Sequence, residues 1–263
     1  MGLFSKFRSR KENITNPNTL DLTIEQLIKE ADSGNHIAQA QLSLEYLIGK
    51  TIPMDLGKAF GYMELASNDF DSLNVCFKAS RDLGEPAAYF GIAMMWKHGW
   101  GVSESTEEYS KNLIKAAELG YPRAQMLLGL DYKMDVFGVK KDLEKSEFWL
   151  NKAGESGIND AHIHLFHLYM DGDMKNDEKA VFHLLKAGDS NDGMAQIYLG
   201  RNYLEGALFD FDKIEAAKWF ILARAHNHWK VNEIDRLKES LSQNEWNEAE
   251  ERVKEWNKAH YNA

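Results

Sequence analysis

Thiols are all but missing from this sequence: Cys76 is its sole cysteine, so no disulfide can close within the chain and the covalent staples of small secreted domains are excluded. Positive charge is also scarce. Against 41 aspartates and glutamates stand 31 lysines and arginines, a formal net charge of -10. Affinity for nucleic acid comes chiefly from cations that neutralise phosphates and release counterions, so no nucleic-acid binder is expected, and a basic protein is the better electrostatic complement. No uninterrupted apolar run approaches the ~18 residues that a membrane-crossing helix needs. No basic start leads into an apolar run and a small-residue cleavage site. The expectation is a reducing, cytoplasmic compartment. Prolines number only four, and no segment alternates with the period of two that marks a strand.

What is present is a repeat. Gly34, Gly84, Gly120, Gly157 and Asn191 are each followed, four residues on, by Ala38, Ala88, Ala124, Ala161 and Ala195, and these alanines are 50, 36, 37 and 34 residues apart. Four residues beyond each alanine comes Leu42, Ile92, Leu128, Leu165 or Leu199, and eight beyond it Tyr46, Trp96, Tyr132, Tyr169 or Tyr203. Residues at steps of four share one face of a helix, so each unit opens with a helix carrying a small, an aliphatic and an aromatic side chain in one stripe. Three residues past the aromatic stands Gly49, Gly99, Gly172 or Gly206, suited to a left-handed helix end. The third unit departs, with Asp135 there and Gly138 later.

A second helix follows in each unit: Asp55 to Ala66, roughly Glu107 to Ala117, Asp142 to Ala153, Asp177 to Ala187 and Asp212 to Ala223. Four of the five open with aspartate, a good N-cap and a favourable charge at the positive helix end. Pro86 and Pro122 fall just ahead of first helices, where a missing N–H costs nothing, while Pro17 and Pro53 fall in connections. The clearest copy runs Ala195-Gln196-Ile197-Tyr198-Leu199-Gly200-Arg201-Asn202-Tyr203, with Ala216-Ala217-Lys218-Trp219 behind it. This pattern resembles the Sel-one-like repeat, a relative of the tetratricopeptide repeat, over about Thr23 to Asn227. The resemblance implies an all-α fold: a right-handed α-solenoid of about five helix-pair repeats with capping helices at both ends, in which each pair buries its stripe against its neighbours.

The organisation that follows is a basic N-terminal arm at 1–22, the repeats at 23–228 and C-terminal capping helices at 229–263. Thr23 to Ser33 reads as a lone capping helix with Thr23 and Gln26 in capping-box spacing, and Ser242 and Glu245 repeat that spacing ahead of the last helix. The first step of 50 exceeds the next of 36, so residues 67–84 read as a loop plus an inserted helix that ends in Cys76 to Leu83. At about 100° per residue, positions two, six and nine after each alanine point away from the signature stripe. They hold Ala40, Leu44 and Leu47; Phe90, Met94 and Lys97; Met126, Leu130 and Lys133; Ile163, His167 and Met170; and Ile197, Arg201 and Leu204. First helices line the concave surface in the families resembled. The candidate groove is therefore Phe90, Met94, Met126, Leu130, Lys133, Ile163, His167, Met170, Ile197 and Arg201, an apolar, methionine-bearing floor that accepts a helix or an extended peptide. The alternative is that the apolar members pack between adjacent repeats.

No constellation for catalysis, cofactor or metal is read. His162 lies about 200° from His164, so His162, His164 and His167 cannot converge on one ion. Cys76 sits between Val75 and Phe77 with no base in sequence beside it, which fits a small buried residue better than a nucleophile. There is neither a Gly-x-Ser-x-Gly elbow nor a phosphate loop. Residues 1–11, with Lys6, Arg8, Arg10 and Lys11 among Leu3, Phe4 and Phe7, are the candidate for weak contact with an anionic membrane surface. The expected function is that of a non-catalytic adaptor binding a partner protein or peptide. Two narrower readings stand beside it, a bacterial toxin-neutralising immunity protein and a membrane-associated signalling or envelope regulator, and the partner's identity stays open.

Overall fold

The structure, a computed structural model, describes residues 22–82, 84–170, 172–227 and 231–261; the basic stretch 1–11 lies outside them. Among the described residues there are fourteen α-helices, one short 3-10 turn and no strand. Helix α1 (Ile24–Asp32) precedes the pair α2 (His36–Ile48) and α3 (Leu56–Ala66), and the inserted helix is α4 (Phe70–Asp82). The pairs α5 (Pro86–His98) with α6 (Thr106–Glu118) and α7 (Pro122–Met134) with α8 (Leu143–Glu155) follow. Next come α9 (Asp160–Met170) with α10 (Asp177–Asp189), α11 (Gly193–Glu205) with α12 (Lys213–Asn227), and finally α13 (Glu233–Ser240) and α14 (Gln243–Tyr261). Five helix pairs are thus in register with the five signature alanines, and the chain is an all-α solenoid of helix pairs. Contacts divide it into two compact units, Met1–Asp142 and Leu143–Ala263. The division falls inside the third repeat, away from the sequence boundaries at 22/23 and 228/229.

The local chemistry explains the ends. Thr23 and Gln26 form the expected capping box, the Gln26 amide donating to Thr23 Oγ1 at 3.3 Å and the Thr23 amide to Gln26 Oε1 at 3.0 Å. Asp55 caps α3 through the Lys58 amide at 3.0 Å. One cap shifts from its sequence position: α10 is capped by Asn176, whose side chain accepts from the Lys179 amide at 3.0 Å, while Asp177 sits in the first turn, where its charge still meets the positive helix end. Gly49, Gly99 and Gly206 close their helices with φ of 67°, 68° and 64°. Asp135 takes the same conformation at φ 56°, held by the Lys141 amide donating to its carboxylate at 3.0 Å. Gly172 does not cap α9 but begins the 3-10 turn Gly172–Met174.

The signature alanines Ala38, Ala88, Ala124, Ala161 and Ala195 are fully buried; with no room for a larger side chain, they set how closely helices approach. The joint between consecutive repeats uses the residue after the alanine. Gln39, Gln125 and Gln196 are buried, and their Nε2 atoms donate to the carbonyls of Ala31 at 3.0 Å, Ala117 at 3.3 Å and Gly188 at 3.1 Å. Each bond satisfies a last-turn carbonyl that has no partner in its own helix. In α9 this position holds His162, whose ring lies over Gly154.

A candidate partner-binding wall

The wall is the side of each first helix turned away from the signature stripe, and each unit presents its own stretch. In the first unit, α2 contributes nothing free: Ala40, Leu44 and Leu47 are all fully buried, and the inserted helix α4 lies against α2 and α5. On α5, Phe90 and Met94 are buried at 1% and 3% exposure. Phe90 stacks its ring 4.8 Å from Tyr121 and 6.2 Å from Phe60, so these two candidates act as core. Met126, Leu130 and Lys133 on α7 are half-buried. Two neighbours on the same face widen that patch, Leu127, half-buried, and Met134, 63% exposed. They stand three and ten residues after Ala124, near 300° and 280° at about 100° per residue, a band outside the two-six-nine positions read from sequence.

Behind this patch lies an electrostatic cluster that sequence periodicity does not reveal. Lys97 Nζ sits over the rings of Phe137 at 4.7 Å and Tyr109 at 5.4 Å, and Tyr109 donates its hydroxyl proton to Asp131 Oδ2 at 2.7 Å. Asp131 is buried, and burial raises its acid to about 6, against the pull of the Tyr109 hydrogen bond and the Lys97 charge.

In the second unit, Ile163 on α9 and Ile197 on α11 are buried. Ile197 belongs to a cluster with Phe220, Ile234, Leu237 and Trp246 from α12, α13 and α14. Arg201 is exposed but engaged, its Nε and Nη2 donating to Glu233 Oε1 at 2.9 and 2.6 Å. The His167 ring meets Tyr198 edge-on at 5.3 Å. Met170 and Met194 are 37% and 36% exposed. His162, which spacing sets apart from His164, pairs instead with a histidine of the next helix: its Nδ1 lies 3.1 Å from His183 Nδ1, and the His183 ring also stacks 5.6 Å from Tyr169. Burial first, and then the neighbouring His162 and Lys179, lower His183 to about 4, so the pair is neutral and shares one proton between facing nitrogens. Among the described residues no group of three or more metal-ligating side chains converges, and no helix is long and apolar enough to cross a membrane. Cys76 is buried, and burial with the nearby Glu45 pushes its thiol up to about 12, far from a reactive thiolate.

These features define the class: a helix-pair repeat protein whose first helices leave apolar and methionine side chains on one face. Residues 36–69, 122–158, 159–192 and 193–228 match the Sel1 repeat, more than half of the chain, and the protein belongs to the Sel1 repeat family. The pair α5/α6 carries the same signature although its segment is not among those matched. The fold is similar to the crystal structure of a Sel1 repeat protein from Oxalobacter formigenes, with TM-score 0.55 and 25% identity over 83% of this chain and 69% of that one. It is also similar to c5321, a protective antigen present in uropathogenic Escherichia coli strains that displays an SLR fold, with TM-score 0.47 and 19% identity over 90% of this chain and 56% of that one. Sel1 repeat proteins are in general non-catalytic scaffolds for protein–protein contact.

Proposed function

We propose that this protein is a non-catalytic, cytoplasmic adaptor that seats a segment of another protein on the wall. The observation that carries the reading is the surface of α7, where Met126, Leu127, Leu130 and Met134 remain partly open to solvent, joined in the second unit by Met170 and Met194. Methionine is unbranched and polarizable, and fits varied apolar partners. Charge acts at two ranges. The net charge of -10 attracts a basic protein from a distance. On the wall itself the charged positions are cationic, Lys97, Lys133 and Arg201, so the seated segment is apolar with acidic residues along its edge.

Affinity capture from the native cell, followed by mass spectrometry, tests this. The native chain retains a partner, whereas Met126→Glu combined with Met170→Glu loses it while far-UV circular dichroism stays unchanged. Unfolding of the variant would make these residues core and sink the reading. The immunity-protein version rests on the same net charge; it requires one basic partner held very tightly, where a general adaptor yields several weaker ones.

A further inference from the structure

The wall of the first repeat is already filled by a helix that the repeat pattern does not require. Helix α4 sits in the excess that makes the first step 50 residues where the next is 36, yet it lies against the first helices α2 and α5. Leu73 and Phe77, four apart and fully buried, share one face of α4. The Phe77 ring and the Leu47 side chain crowd onto Gly91 so closely that any β-carbon there would collide with the ring. Gly91 is therefore a notch, and Phe77 the knob that fills it. Beside that apolar row runs a second buried row, Ser72, Cys76 and Ser80, and it is poorly matched. Ser80 Oγ is buried with no hydrogen-bond partner, and the thiol of Cys76, a weak donor, lies near the buried carboxylate of Glu45. Buried polar groups without good partners offset part of the apolar gain, so α4 holds its seat less firmly than the repeat helices hold theirs.

We propose that the notch at Leu47 and Gly91 is a helix-binding site with α4 as its replaceable resident, and that the incoming partner is an amphipathic helix. That helix carries a bulky apolar pair at i and i+4, as Leu73 and Phe77 do, and a hydrogen-bond donor at i+3, where Cys76 leaves Glu45 poorly served. The proposal rests on the adaptor reading for its premise that the wall receives protein. Helix-in-groove recognition of this kind reads out such spaced anchors, and displacement of a tethered helix needs the free partner to outcompete its high local concentration.

Cys76, the sole thiol, reports the opening of α4 in the full chain. Its reaction with 5,5′-dithiobis(2-nitrobenzoate), followed across urea concentrations below the unfolding transition, should show an opening less costly than global unfolding and nearly independent of urea. Phe77→Ala should speed the reaction by about 100-fold or more without loss of the repeat helicity. A fluorescent peptide of residues 69–82 bearing Cys76→Ser should then bind the Phe77→Ala chain at least about tenfold more tightly than the native chain, whose seat is taken. Labelling of the native chain that tracks global unfolding overturns the proposal, since α4 is then fixed core. So does free labelling with no peptide binding, which means α4 opens but leaves no receptor. Either failure is separable from that of the adaptor reading, which depends on Met126 and Met170 and not on Cys76.

Discussion

Asp131 and the His162–His183 pair show how single residues place opposite pH dependences in the two units. Asp131 is raised from 3.8 to about 6, so the folded chain holds that proton more tightly than the unfolded one. The stability this group contributes is present at low pH and lost as pH rises toward 6. Asp131→Asn keeps an acceptor for the Tyr109 hydroxyl but has no proton to lose. Its stability advantage over the native chain in urea unfolding should therefore grow by about 2–3 kcal/mol between pH 4 and pH 7; a constant difference would show that the carboxylate is solvated. His183 is lowered from 6.5 to about 4, so the unfolded chain takes up its proton first as pH falls. Stability is lost between about pH 6.5 and pH 4, by about 2–3 kcal/mol when complete. His162→Gln restores the residue that the other joints use beside Gly154 and removes one of the charges acting on His183, and should flatten part of that loss in the same titration. None of this chemistry is legible in the sequence. The partners Tyr109 and Asp131 lie 22 residues apart and the two histidines 21, separations without helical meaning.

Elements are where the sequence speaks most clearly. A helix face is set by contacts three and four residues apart, so the stripe of Ala195, Leu199 and Tyr203 announces α11 without reference to anything distant. Gly49, Gly99 and Gly206 mark helix ends for the same local reason. The inserted helix was half legible: its later portion, Cys76 to Leu83, reads as helix, but α4 begins at Phe70, ahead of any signature. The joints were legible only as a recurring glutamine, because the bond that gives the glutamine meaning reaches a different helix. Gln125→Ala and Gln196→Ala should each cost about 1–3 kcal/mol in urea unfolding, since each strands a buried carbonyl of the preceding helix. An unchanged midpoint would mean that water replaces the amide.

At the scale of the whole molecule the question is what ends the stack. Helix α14 lays Trp246 and Ala249 onto Phe220 and Ala216 of α12, its Trp256 Nε1 donates to Asp189 at 3.2 Å, and Arg252 reaches Asp212 and Glu215 at 3.3 and 2.9 Å. Deleting residues 243–263 should expose this cluster and turn the second unit into an aggregating species, seen by size-exclusion chromatography and loss of its cooperative transition. A monomeric product with the remaining helicity intact would make α14 an arm and not a seal. The sequence by itself determined the helix pairs and their phase, because burial of the signature alanines and aliphatics repeats within each pair at fixed local spacing. Only the tertiary structure decided which wall positions stay open. Phe90, Met94, Ile163 and Ile197 are buried, Arg201 is held by Glu233, and α4 occupies the wall of the first repeat, while Met126, Leu130 and Met170 keep surface in water. Coverage is set by insertions and terminal helices that obey no period, and their contacts span distances along the chain that no repeat encodes.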